Sequence, residues 1–125
     1  MKLIEILKDL REKFLRKKVQ KIKLPEFNKS EIVRKKLIFS GKVQNVGFRL
    51  ETDEMANRLK LRGFVKNRED GKVEAEVEGE EEKIRYLINH LKSVKRIEIE
   101  SIDEKCMEVR KNEKAFGISK NKLKL

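Results

Sequence analysis

The chain has 125 residues, enough for one compact domain and an appendage, and 44% of them are charged against 38% apolar, so the core must be small and the surface densely ionic. A single cysteine, Cys106, excludes a disulfide framework within the chain, and no apolar run approaches the ~18 residues of a membrane span. Net charge is +11, concentrated at the front: residues 1–40 hold 13 Lys/Arg against 5 Asp/Glu, while residues 41–125 hold 20 against 17. The opening Met-Lys-Leu-Ile-Glu-Ile-Leu-Lys-Asp-Leu is broken by charges too early for a signal peptide, so the reading is a soluble, cytoplasmic protein.

In chain order, residues 2–23 show a helical period with Leu3, Leu7, Leu10 and Phe14 on one stripe, widened by Ile4, Ile6 and Leu15. Asp9 with Lys13 and Glu12 with Arg16 are helix-supporting pairs. Pro25 bars continuation, and a linker follows, so residues 1–34 form a basic amphipathic helix and linker. A strand is expected over 35–43 and a helix over 51–61 that turns Met55, Ala56 and Leu59 to one side. Phe64-Val65-Lys66-Asn67 opens a second strand, and Asp70-Gly71 supplies a hairpin turn. In the return strand Val73, Ala75 and Val77 alternate with Glu74, Glu76 and Glu78, a half-buried pattern ended by Gly79. A helix over 80–92 carries Ile84, Leu87, Ile88 and Leu91 on one face. Ile97 and Ile99 mark a fourth strand, Phe116 and Ile118 a short fifth, and residues 121–125 a frayed tail.

This order predicts an α+β, ferredoxin-like βαββαβ sandwich over residues 35–120, preceded by the N-terminal helix. Two helices would cover one face of a mostly antiparallel, four- to five-stranded sheet. The other face would show Glu74, Glu76, Glu78, Glu98 and Glu100 to water.

Chemistry concentrates in Gly41-Lys-Val-Gln-Asn-Val-Gly-Phe-Arg49. A strand, a tight loop and a helix N-terminus aim several backbone N–H groups at one point, a nest for an anion. Arg49 at its lip has a planar fork suited to two phosphate oxygens. The loop lacks the Gly-Lys-Ser/Thr ending of nucleotide-binding loops. On the loop alone, a plain βα turn with a surface arginine stays open as the alternative.

The segment from Gly41 to Gly79 resembles the acylphosphatases, small enzymes that hydrolyse acyl phosphates to a carboxylate and inorganic phosphate. Their loop reads Gly-x-Val-Gln-Gly-Val-Gly-Phe-Arg, and this chain departs from it only at Asn45. Thr52, Ala56, Gly63, Phe64-Val65-Lys66-Asn67, Asp70-Gly71, Val73-Glu74 and Gly79 follow at the family's spacing without a gap. The resemblance implies that Arg49 binds phosphate and Asn67 positions the attacking water. It implies too that the amides of Asn45, Val46, Gly47, Phe48 and Arg49 form the cradle. No metal or cofactor is needed, because a carboxylate leaves readily and the substrate's own phosphate oxygens can take the water's proton. Asn45 is the non-glycine residue that best tolerates a left-handed conformation, so the loop's shape is expected to survive. Lys60 replaces a glycine near the end of the first domain helix and is expected to affect helix termination.

The other candidates read as structural. Thr52 is expected to be a helix-start or surface hydroxyl, His90 a surface histidine, Cys106 an inert thiol and the strand glutamates a solvated face. A non-catalytic binding module on the same scaffold is the alternative function. For the N-terminal helix, docking or self-association through residues 3–15 ranks ahead of a membrane. A nucleic-acid role is set behind, because no aromatic residues interleave its basic ones.

Overall fold

The computed structural model describes residues 2–119, and the tail expected at 121–125 lies outside the described residues. The elements are α1 (Leu3–Gln20), β1 (Ile32–Lys42), α2 (Phe48–Arg58), β2 (Arg62–Asn67), β3 (Val73–Glu80), α3 (Glu81–Ser93), β4 (Glu98–Met107) and β5 (Phe116–Ile118). They form a five-stranded sheet in the order β4-β1-β3-β2-β5, antiparallel throughout except for β2 against β5. The ferredoxin-like α+β sandwich is therefore present. Among the described residues no helix is long and apolar enough to cross a membrane.

One face of the sheet is apolar because the strands alternate. Leu37, Phe39, Val65, Val73, Ala75 and Val77 point to it, and α2 and α3 close over them with Met55, Ala56, Ile84, Leu87, Ile88 and Leu91, all buried. The linker after α1 adds to the seal, with Ile22, Leu24 and Phe27 packed against this core.

The second face differs from expectation. Glu74, Glu76 and Glu78 are buried, Glu78 at 0% exposure, while Glu98 and Glu100 do stay exposed. Cross-strand register explains it: Arg34 lies opposite Glu78 and Lys36 opposite Glu76, so a basic row on β1 meets the acidic row on β3. Arg34, also at 0%, bonds Glu76 at 2.9 Å and Glu78 at 3.1 Å. The chain between β4 and β5 contributes Glu113 to Arg34 at 2.6 Å and the backbone N–H groups of Arg110 and Lys111 to Glu78. A buried charge needs its partners supplied in this way.

Several boundaries shift. β1 begins at Ile32 and α2 at Phe48, each three residues ahead of expectation, and β3 runs through Gly79 to Glu80 instead of breaking there. Ile97 sits just before β4.

The N-terminal helix docks by a different row from its apolar stripe. The stripe expected to seek cover is exposed: Leu3 at 69%, Leu7 at 55%, Leu10 at 58% and Phe14 at 62%. The row that docks is Glu12, Leu15, Arg16 and Val19, with Leu15 and Val19 buried. Arg16 bonds Asp53 at 2.9 Å and Glu54 at 3.1 Å, while Arg58 donates to the carbonyls of Val19 in the last turn of α1 and of Ile22 just past it. α1 thus lies on α2, held by these ion pairs and backbone bonds together with buried Leu15 and Val19.

Candidate active site

The site begins where β1 ends. Residues 43–47 loop from the strand into α2, and two of them adopt left-handed backbone, Asn45 at φ 63° and Gly47 at φ 78°. Asn45 holds the conformation its residue type allows. Gly47 is constrained further, since a Cβ there would lie 3.0 Å from Leu15 Cδ1 and 3.2 Å from Arg96 Nε. Gly47 is also the N-cap of α2, and no side chain caps that helix. The first-turn N–H groups of Phe48, Arg49 and Leu50 therefore have no intrahelical acceptor, and the positive end of the helix faces the loop.

Three anchors fix the loop from behind. The Phe48 ring packs on Phe39 at 4.8 Å between centroids, pinning the first turn of α2 to β1. Gln44 Nε2 donates to the carbonyls of Arg68 and Lys72 at 2.8 and 2.9 Å, which ties the loop to the β2–β3 turn. Arg96 Nε donates to the Val46 carbonyl at 2.7 Å, and its Nη2 bonds Glu51 on α2. Glu51 also accepts from His90 Nε2 at 2.9 Å, so α2, α3 and the loop share one network.

Burial by itself would raise the Glu51 carboxyl, but the hydrogen bonds and charges of His90 and Arg96 outweigh it and hold the group below the usual carboxylate range. His90 is accordingly a nearly buried hydrogen-bond partner of Glu51, with 9% of its side chain exposed, and not the surface histidine expected. Thr52 is buried as well. Its Oγ1 donates to the Phe48 carbonyl at 2.8 Å, a bond within the helix, so it is no surface hydroxyl. Cys106 is exposed.

In front of the loop is an open pocket of about 400 Å³. Asn45, Gly47, Phe48 and Arg49 line it together with Asn67, which ends β2, and Ile118 of β5. Val46 does not line it, because its side chain is buried beneath the loop. Arg16 and Arg96 nearby are tied to carboxylates, whereas among the described residues no side-chain hydrogen bond or ion pair holds Arg49 or Asn67. Another wall comes from α1, as Lys8, Arg11, Glu12 and Arg16. Among the described residues no group of three or more His, Cys, Asp or Glu is arranged to hold a metal ion.

The sequence pattern gave no sign of the braces or of the α1 wall. Arg96 is fifty residues from Val46, and Arg16 is thirty-seven from Asp53. Nothing local marks either pairing.

An α+β sandwich whose β1–α2 loop ends at an uncapped helix start, with an arginine and an asparagine sharing the pocket before it, defines a small α+β class of protein with a candidate active site at one strand end. The chain belongs to the acylphosphatase family, whose model matches residues 35–118. An acylphosphatase from Picrophilus torridus is 49% identical over 61 residues, spanning 49% of this chain and 75% of that protein. One from Clostridium perfringens is 40% identical over 87 residues, covering 69% of this chain and 98% of its own length. Among solved structures, the acylphosphatase of Bacillus subtilis superposes with a TM-score of 0.66 at 30% identity, covering 70% of this chain and 99% of that one. The matched segment 35–118 leaves α1 outside.

Proposed function

We propose that this protein is an acylphosphatase that hydrolyses acyl phosphates to a carboxylate and inorganic phosphate, with Arg49 and Asn67 as its catalytic side chains. Family membership supports the activity. The observation that carries the role assignment is the shared pocket, where Arg49 and Asn67, unheld by other side chains among the described residues, line the space before the uncapped start of α2.

The phosphoryl group sits against the amides of Asn45, Val46, Gly47, Phe48 and Arg49, and the guanidinium of Arg49 holds two of its oxygens. Asn67 orients a water with its side-chain amide. The water oxygen attacks phosphorus as the bond from phosphorus to the acyl oxygen breaks. The carboxylate departs with that electron pair, and the water's proton passes to a phosphoryl oxygen. Because the leaving group is a weak base, no general acid is required, and catalysis rests on positioning and charge stabilisation. The loop is a phosphate-binding loop in this reading, and the lone exposed Cys106 suits a reducing, cytoplasmic setting.

The test is turnover of benzoyl phosphate. Arg49→Ala is expected to lower kcat/KM about a thousandfold and Asn67→Ala about a hundredfold, with inorganic phosphate inhibiting the wild type competitively. Normal turnover in either variant sinks that residue's role. A wild type that binds phosphate but turns over no acyl phosphate leaves a binding module instead.

A further inference from the structure

The α1 wall of the pocket has its own chemistry. Lys8 and Arg11 line the pocket and are exposed, and among the described residues neither is paired with a carboxylate. Arg16 beside them is occupied by Asp53 and Glu54. With Arg49 the lining carries four cationic side chains against the single carboxylate of Glu12. Helix geometry explains the placement. Leu15 packs over Gly47 in the loop, and Arg11 and Lys8 lie about 6 and 10 Å further along the helix axis at ~1.5 Å per residue. A cavity of about 400 Å³ is within the ~300–1,000 Å³ range of small-molecule sites and holds more than a phosphoryl group. With the phosphoryl group against the loop, the acyl chain extends toward the remaining walls, and one of them carries Lys8 and Arg11.

We infer that Lys8 and Arg11 form a second anion subsite, so that the preferred substrates are acyl phosphates bearing another negative charge, such as a carboxylate, at the far end of the acyl group. The inference rests on the acylphosphatase reading and adds a substrate class to it. Lys8 and Arg11 act here as specificity determinants. They contact the remote anion and leave the reacting phosphoryl group to the loop. Glu12 opposes them by repelling the same charge.

The experiment compares a shape-matched pair, 4-methylpentanoyl phosphate and 3-carboxypropanoyl phosphate, which differ by an isopropyl against a carboxylate. The wild type is expected to favour the carboxylate-bearing substrate in kcat/KM. Replacing both cations (Lys8→Ala with Arg11→Ala) should reduce that preference about tenfold, chiefly through KM, as suits two exposed charge contacts. Glu12→Gln should raise the preference. A wild type that treats the two substrates alike overturns the subsite and leaves the hydrolase reading standing, as does a double variant that loses equally on both. If the wild type hydrolyses neither substrate, both readings fall together.

Discussion

Two arginine–carboxylate networks of similar makeup sit in different parts of this protein and serve different ends. Arg34, on the sheet face away from the helices, directs its guanidinium to Glu76, Glu78 and Glu113. Arg96, near the loop, divides its donors between Glu51 and the backbone carbonyl of Val46. The difference lies in what the arginine touches besides carboxylates. The first network joins strands to the chain crossing them and closes the fold. The second joins the fold to the loop in front of which Arg49 and Asn67 meet, so a change there is felt by the site.

The largest effect should come from the first network. Arg34→Met leaves buried Glu76 and Glu78 with only the longer contacts of Arg110 at 3.7 Å and Arg62 at 3.8 Å, which is expected to cost about 3 kcal/mol in urea denaturation. The folded fraction should turn over benzoyl phosphate like the wild type, because Arg34 is not part of the pocket. A variant that keeps its midpoint would show that the cluster contributes little, and one that folds well but loses turnover would erase the distinction between the networks.

Glu51→Gln probes the second network and should do the reverse, lowering kcat/KM about tenfold with a smaller loss of stability, since misplacing a loop matters more to positioning than to folding. Its pH signature is defined. Burial would raise the Glu51 carboxyl, but His90 and Arg96 bring it below its ordinary value. As pH falls, the unfolded chain therefore takes the proton first. The stabilisation is complete above the ordinary glutamate value of about 4.3 and disappears as pH drops through the lower folded value. Glu78 is also held low, burial being outweighed by the Arg110 N–H, Arg34 and the Lys111 N–H, so acid should weaken both networks. In Glu51→Gln the fall in stability with acid should be shallower than in the wild type, and identical profiles would remove Glu51 from the account.

What the sequence could tell follows the range of the interactions involved. Apolar alternation in β1 and β3 and the helical period of α3 are local, and they foretold the sandwich and its core. The loop and Asn67 were legible as a motif, and the left-handed Asn45 was expected because it stands at the family's glycine and asparagine tolerates that conformation. The buried glutamates were misread, because alternation with apolar residues looks the same whether the second face meets water or an opposing basic row. Only the register of Arg34 with Glu78 decides that. The α1 stripe misled for a related reason. A helix selects its docked row from what the partner surface offers, and α2 offers Asp53 and Glu54 to Arg16. The basic wall that α1 brings to the pocket depended on that choice.

The smallest change should come from a residue in neither network. Lys60, past the end of α2, has φ 59° and is exposed. Leu61 N–H donates to the Ala56 carbonyl at 2.9 Å and Lys60 N–H to that of Asn57 at 3.0 Å, the paired bonds of a helix end that favours glycine at the left-handed position. A side chain in that conformation costs about 1–2 kcal/mol, partly offset by the extra freedom glycine has when unfolded, so Lys60→Gly is expected to gain about 0.5–1 kcal/mol and raise Tm. Because Lys60 braces neither the sheet nor the loop, kcat/KM and the acid profile should run parallel to the wild type at the higher stability. Turnover that rose or fell with Tm in this variant would mean that global stability alone sets the order of the loop. The Arg96 network would then have no separate claim on it.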